Sequence, residues 1–356
     1  MRKMGRFLRR WWLLLLVGLG LASCRTVSFY SQAALGQWEI SSKSQSIEKV
    51  LADPSTNEKL RKKLSLVQEL RAFAKNQLGL PAESQYDRYC DLGRKHVVWV
   101  VYAAPEFSVE GKTWWYPLVG SLEYRGFFDV KDAQREAKRL KEKGFEVYVG
   151  GVDAYSTLGW FRDPVLNTFV HRSDAELAEL LFHELTHQKL YLSGDTDFNE
   201  AFATALGEEG ARRWLKANGR VDELKTYEAE TGLHREFIRL VLETRVRLEQ
   251  IYKSGTPEKM RAQKEAELKA LRTNANMLKA RWGGVLAVDR WFASPVNNAR
   301  LNTLATYYDL VPGFEALLRQ CGGDIGEFCK RVEAMKSLTP KERKAALMKN
   351  VMSAAP

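Results

Sequence analysis

Apolar residues recur along this chain with two different periods, and the changes of period mark out its elements. Leu60, Leu64, Val67, Leu70 and Ala74 fall near helical spacing after Ser55-Thr-Asn-Glu58, which reads as a capping box, and the run ends at Gly79 and Pro81. Val97-Val-Trp-Val-Val-Tyr102 is β-branched and aromatic throughout and predicts a buried strand. Trp114 to Phe128 alternates aromatic residues with Gly and predicts a hairpin or irregular strands. Ala133, Ala137 and Leu140 return to helical spacing with Lys and Arg outside, and Phe145 to Val152 predicts a second strand. After a turn at Tyr155 to Pro164, Ser173 and Glu176 form a capping box ahead of an apolar helix with the stripe Leu177, Leu181 and Leu185. Gly194 offers its stop. Asp197 and Glu200 are spaced as N-cap and N3 of a further helix through Ala201, Ala203, Ala205 and Leu206.

Beyond Gly219 the pattern changes. Glu223 to Tyr252 and Pro257 to Trp282 read as long charged helices broken at Ser254-Gly-Thr-Pro257. Asn297 to Leu318 reads as a helical stretch interrupted at Val311-Pro312-Gly313. No internal repeat is evident. The expectation is an α+β chain with a small mixed sheet and its helices over 46–219. A mainly α-helical region over 220–356 walls a cleft opposite the sheet.

The first 24 residues alter the setting. Arg2, Lys3, Arg6, Arg9 and Arg10 precede an apolar run from Trp11 to Leu21, and Leu21-Ala-Ser-Cys24 looks like a bacterial lipobox. Residues 1–23 are therefore expected to be a lipoprotein signal peptide, and 24–45 a lipidated Cys24 with its tether. The body would face the periplasm on a lipid anchor; Arg25 after the cysteine, by analogy with lipoproteins, points to the outer membrane. Removing five positive residues lowers the net charge from +11 to +6. No basic block is interleaved with aromatics, which argues against nucleic acid. Cys90, Cys321 and Cys329 remain. Cys321 and Cys329 bracket a closable loop, so a disulfide and free thiols both stay open.

The chemistry lies in His183-Glu-Leu-Thr-His187. Two imidazoles four residues apart on a helix share one face and can reach one metal ion, while the intervening Glu184 projects about 100° around, beside the ion. A carboxylate there can take a proton from water, the arrangement zinc peptidases use. A third protein ligand is needed. Glu200 is the choice, from Asn-Glu-x-x-Ala, and the small Ala203 would let two helices approach closely. Asp197, in Gly194-Asp-Thr-Asp197, is the rival. Tyr155 is the first candidate donor to a tetrahedral oxyanion, ahead of Tyr307, Tyr308 and His234. Glu123, Glu106 and Asp153 lie on plausible walls for binding an amino terminus.

Ala103-Ala-Pro-Glu-Phe107, Tyr124-Arg-Gly-Phe-Phe128, Tyr148-Val-Gly-Gly-Val152, Ala154 to Phe161, His183 to Gln188, Phe198 to Ala203 and Asn297-Asn-Ala-Arg-Leu301 carry a resemblance. Together these stretches resemble a bacterial family described as "putative aminopeptidases", lipoproteins assigned to the Glu-zincins. The resemblance implies a zincin-like fold, one zinc ion, peptide substrates and an aminopeptidase activity. The 12 residues between His187 and Glu200 are fewer than the roughly 18 to 20 of thermolysin-like and common aminopeptidase families, so their substrate-binding details do not carry over. The competing expectation is a lipoprotein whose zinc serves structure, binding or assembly without turnover. Hydrolysis of a non-peptide amide ranks last.

Overall fold

In the computed structural model, residues 26–117, 119–283 and 286–353 are described; the signal segment 1–23 and Cys24 lie outside them. The chain is α+β and mostly helical. It opens with helix α1 over 26–43, then β1 (Gln45–Ser46), α2 (Ile47–Ala52) and α3 (Glu58–Leu78). The cap of α3 is Asn57, whose side chain accepts the Lys59 N–H, and Gly79 closes the helix at φ 61°. Ser55 instead donates to Asp53, so the expected Ser55–Glu58 box does not form.

Strands β2 (Arg88–Cys90), β3 (Val98–Pro105), β4 (Trp114–Tyr116), β5 (Gly120–Leu122) and β6 (Tyr124–Phe127) follow, then α4 (Val130–Glu142), β7 (Phe145–Val152) and β8 (Val165–Leu166). The main sheet runs β6-β3-β7, antiparallel throughout, with Tyr102 opposite both Tyr124 and Tyr148. A second small sheet, β1-β2-β8, is mixed, and β4-β5 is a hairpin. Both faces of β3 are covered, which explains its unbroken apolar run. Val101 and Ala103 face Ala133, Ala137 and Leu140 of α4, whereas Val98, Val100, Tyr102 and Ala104 join the main core.

Helices α5 (Asp174–Lys189) and α6 (Thr196–Ala217) form an antiparallel hairpin, the most extensive helix pairing in the molecule. The capping box at α5 is present in both directions. The cap of α6 is Asp195, two residues earlier than expected. Gly194 turns the chain at φ 82°, and Asp195 is fixed by both the Phe198 N–H and an ion pair to Arg343 at 2.7 Å. Asp197 thus falls inside the first turn.

The remaining helices are α7 (Val221–Tyr252), α8 (Pro257–Arg281), α9 (Leu286–Phe292), α10 (Asn298–Tyr308), α11 (Val311–Gln320), α12 (Ile325–Ala334) and α13 (Pro340–Ser353). The break comes at 309–310, and Pro312 sits in the first turn of α11, where its missing N–H costs nothing. Helix α10 lies against β3 and β7 on one side and α6 and α7 on the other. It inserts the helical half between sheet and hairpin.

The segment read as a tether is a docked helix. Gln32 of α1 accepts from Phe128 N–H and donates to the Gly126 carbonyl, covering the β6 edge. A Cβ on Gly36 would collide with the Phe128 ring, and Glu39 pairs with Arg94 at 2.7 Å. The three described cysteines are free thiols. No described helix is long and apolar enough to cross a membrane.

Candidate metal centre

Helix α5 presents His183 and His187 one turn apart, and the short return to α6 brings Glu200 opposite both. The loop is held by Asn199, which is 1% exposed and bonds both the N–H and the carbonyl of Leu192 at 2.8 Å. Glu200 is the next residue, so its direction is fixed by that clamp. Ala203 is fully buried, and one turn further Gly207 packs closely against α5. A Cβ there would stand 2.9 Å from the Glu179 carbonyl oxygen and 3.1 Å from the His183 Cβ.

The two Nε2 atoms are 3.2 Å apart, and Glu200 Oε2 lies 3.3 Å from His183 Nε2 and 3.4 Å from His187 Nε2. These edges can be set against the spacings of a hydrogen bond and of a metal's ligands. A charge-assisted N–H···O bond settles at about 2.7–2.9 Å. A tetrahedral ion with bonds of about 2.0–2.1 Å spaces its ligand atoms about 3.4 Å apart. The near-equilateral triangle therefore has the dimensions of one face of a metal tetrahedron. Two imidazoles and a carboxylate are also a donor set suited to zinc. The group can hold a metal ion.

Electrostatics within the cluster is strongly coupled. Burial alone would raise the Glu200 carboxyl, but the two imidazoles outweigh it and hold the group at about 2. Burial works to lower His187, and the Glu200 charge and hydrogen bond overcome it, so its pKa is raised. Nδ1 of His187 is buried without a hydrogen-bond partner among the described residues. Glu184 is 8% exposed and has its pKa raised, first by burial and also by Glu200, against the two histidines.

Four tyrosines surround the ligands. Tyr307 stacks on the His183 ring with centroids 6.2 Å apart and planes 26° apart. Tyr102 shares a hydrogen bond with Tyr307, and partly buried Tyr124 feels the charges of Glu200 and Glu184. Tyr191 meets the His187 ring edge-on at 6.4 Å and is pushed up to about 12, first by burial and then by Glu200. Sequence reading missed Tyr191; its place just past the helix that bears the histidines was the available signal.

Other expected residues lie elsewhere. The Tyr155 hydroxyl is donated to Gln37 of α1 and its ring packs on Phe128, with no interaction linking it to the three ligands. The hydroxyl of Tyr155 is thus engaged by docked α1. Tyr308 and His234 pack on each other at 5.6 Å, with Tyr308 turned towards Glu179 and Glu208. Asp197, the rival ligand, is not part of the triangle. Glu106 pairs with Arg261, and Asp153 with His96 and Arg172.

These features define an α+β chain with a three-residue donor set for one metal ion on a helical hairpin. A family described as "putative aminopeptidase" matches residues 28–347, and the chain belongs to that family. No curated protein and no solved structure matches the chain.

Proposed function

We propose that the protein is a zinc-dependent peptidase, acting as an aminopeptidase from a lipid anchor in the bacterial cell envelope, with a zincin-like active-site arrangement. The observation that carries this reading is the triangle of His183, His187 and Glu200 with edges of 3.2–3.4 Å beside the buried carboxylate of Glu184. The family described as "putative aminopeptidase" supports peptide substrates. A zinc ion held by the three ligands would supply a Lewis acid and activate water.

The chain's own residues do the rest. Glu184 accepts a proton from the attacking water and passes it to the leaving amine. Tyr191, half-buried with its ring against His187, is placed to donate to the developing oxyanion. Tyr307, stacked on His183, fixes the orientation of that imidazole. The signal segment and Cys24 support attachment by lipid, and Arg25 supports the outer membrane.

The test joins metal content to turnover. Zinc-loaded protein should cleave peptides, and Glu184→Gln should bind one zinc per chain yet lose about 10²- to 10⁴-fold in rate, the usual weight of general acid–base catalysis. Glu184→Gln cleaving as fast as the unaltered protein would sink the mechanism. Zinc binding with no peptide cleaved by the unaltered protein would favour a lipoprotein that uses its zinc for binding or assembly.

A further inference from the structure

Helix α1 has two apolar faces, and the fold uses one of them. Phe29, Ala33, Gly36 and Ile40 fall at helical spacing on the inner side. Phe29 packs into the apolar cluster that holds α4 against the sheet, Gly36 abuts the Phe128 ring, and Ile40 is buried in the main core. Val27, Tyr30, Ala34, Leu35 and Trp38 line the opposite side and are exposed. Val27 is 58% exposed, Leu35 65% and Trp38 69%.

Nothing charged interrupts that outer stripe. From Thr26 to Ser42 the lone charged residue is Glu39, and it pairs with Lys43 at 2.8 Å and with Arg94 at 2.7 Å. A helix face that meets water ordinarily carries charged side chains, as the outer face of α4 does with Lys131, Arg135, Lys138 and Lys141. An uncharged stripe of Val, Tyr, Leu and Trp, flanked by Ser31, Ser41 and Ser42, suits the boundary between lipid headgroups and acyl chains. There an aromatic ring buries its body and keeps its polar edge wet.

Two further observations select a bilayer as the occupant. Val27 stands three positions from Cys24, so a lipid on that cysteine would start within about 11 Å of the stripe. Helix α4 is joined to α1 through Arg125, whose guanidinium lies 4.1 Å from the Phe29 ring centroid and 3.7 Å from Glu136. Lys131, Lys138 and Lys141 are exposed on α4 without an ion-pair partner among the described residues, a charge that complements anionic headgroups. We infer that Val27, Tyr30, Leu35 and Trp38 seat the chain on an anionic lipid surface, with the α4 lysines reaching the headgroups. This rests on the lipid-anchor reading for its choice of occupant and deepens it: the folded body contacts the bilayer in its own right.

The test removes the lipid and keeps the face. The mature chain from residue 24, carrying Cys24→Ser and therefore no lipid, retains every described residue. It is sedimented with vesicles of phosphatidylethanolamine and phosphatidylglycerol, and the bound fraction gives a partition coefficient. Binding is expected. Leu35→Ser together with Trp38→Ser should weaken it about tenfold or more, the worth of burying one large apolar side chain, and leave the thermal melt unchanged because both side chains are exposed. Lys131→Gln together with Lys138→Gln should weaken it about fivefold per lysine. Trp38→Phe, a milder change, should keep binding and remove the tryptophan emission that brominated acyl chains quench.

Absence of vesicle binding overturns the inference, as does binding that survives loss of Leu35 and Trp38. Concentration-dependent dimers that disappear in that variant, with no vesicle binding, overturn it too and assign the stripe to a second copy of the chain. Palmitate labelling of Cys24 in cells reports separately on the anchor. Vesicle binding through the stripe without labelling upholds the face and sinks the lipid anchor. Labelling without vesicle binding leaves the anchor and removes the face.

Discussion

Single side chains separate what a short motif can encode from what only the folded chain reveals. The cluster of His183, His187 and Glu200 was legible because it depends on local spacing along one helix and across one short return. The tyrosines were not legible in that way. Tyr155 precedes the motif by 28 residues and is occupied by Gln37, while Tyr191 and Tyr307 reach the ligands from the end of α5 and from α10. Pairings across such separations leave no periodic trace. Tyr191→Phe should therefore cut kcat by about 10²- to 10³-fold with zinc retained, the loss expected on removing one oxyanion donor. Tyr155→Phe should leave kcat within a few-fold. Steady-state kinetics on the two variants checks this, and the reverse order of effects would return the role to Tyr155.

At the level of elements, the hairpin of α5 and α6 was predictable in its helices but not in its fit. The box pattern points to Asp197 as the cap because it takes no account of Arg343, a partner 148 residues away that selects Asp195. The close crossing at Gly207 was equally hidden, since a helical glycine looks only like a weak residue. Its replacement by Ala would press a methyl group onto the Glu179 carbonyl and the backbone of His183. Gly207→Ala should lose about 1–3 kcal/mol of stability by overpacking, despite a better helix propensity, and weaken zinc binding by displacing His183. Denaturant melts and a zinc titration measure both; an unchanged midpoint and affinity would refute the tight crossing.

The loop between β7 and β8 carries a pH signature. Asp163 is 3% exposed and its carboxyl is pushed up to about 6, first by burial, against hydrogen bonds from Thr157 and Ser156. Its folded-state pKa exceeds the unfolded value, so the folded protein holds this proton more tightly. Stability from this group is greatest below about pH 4, falls by on the order of 3 kcal/mol as pH rises to about 6, and is flat above. Asp163→Asn should remove that component. The check is the difference in urea midpoint between wild type and variant at pH 4, 5, 6 and 7; a constant difference would refute it.

For the whole molecule, the α+β class and the long charged helices were readable from period and punctuation. The layering was not. Placing α10 between the sheet and α6 depends on contacts such as Asn298 with the Pro105 and Glu106 carbonyls, which join residues more than 190 positions apart. Cys24→Ala should abolish palmitate labelling; labelling that survives the substitution would refute attachment at that residue. Helix α1 would then determine how far a lipid-anchored chain could roam. Only Arg25 stands between Cys24 and the first residue of α1, and one residue spans at most about 3.6 Å. A lipid at Cys24 would thus moor a helix already riveted to the β6 edge, leaving almost no slack. On the proposed anchor such a peptidase would not sweep the periplasm on a flexible leash; it would work in a layer no deeper than its own body, on peptides that reach the bilayer surface.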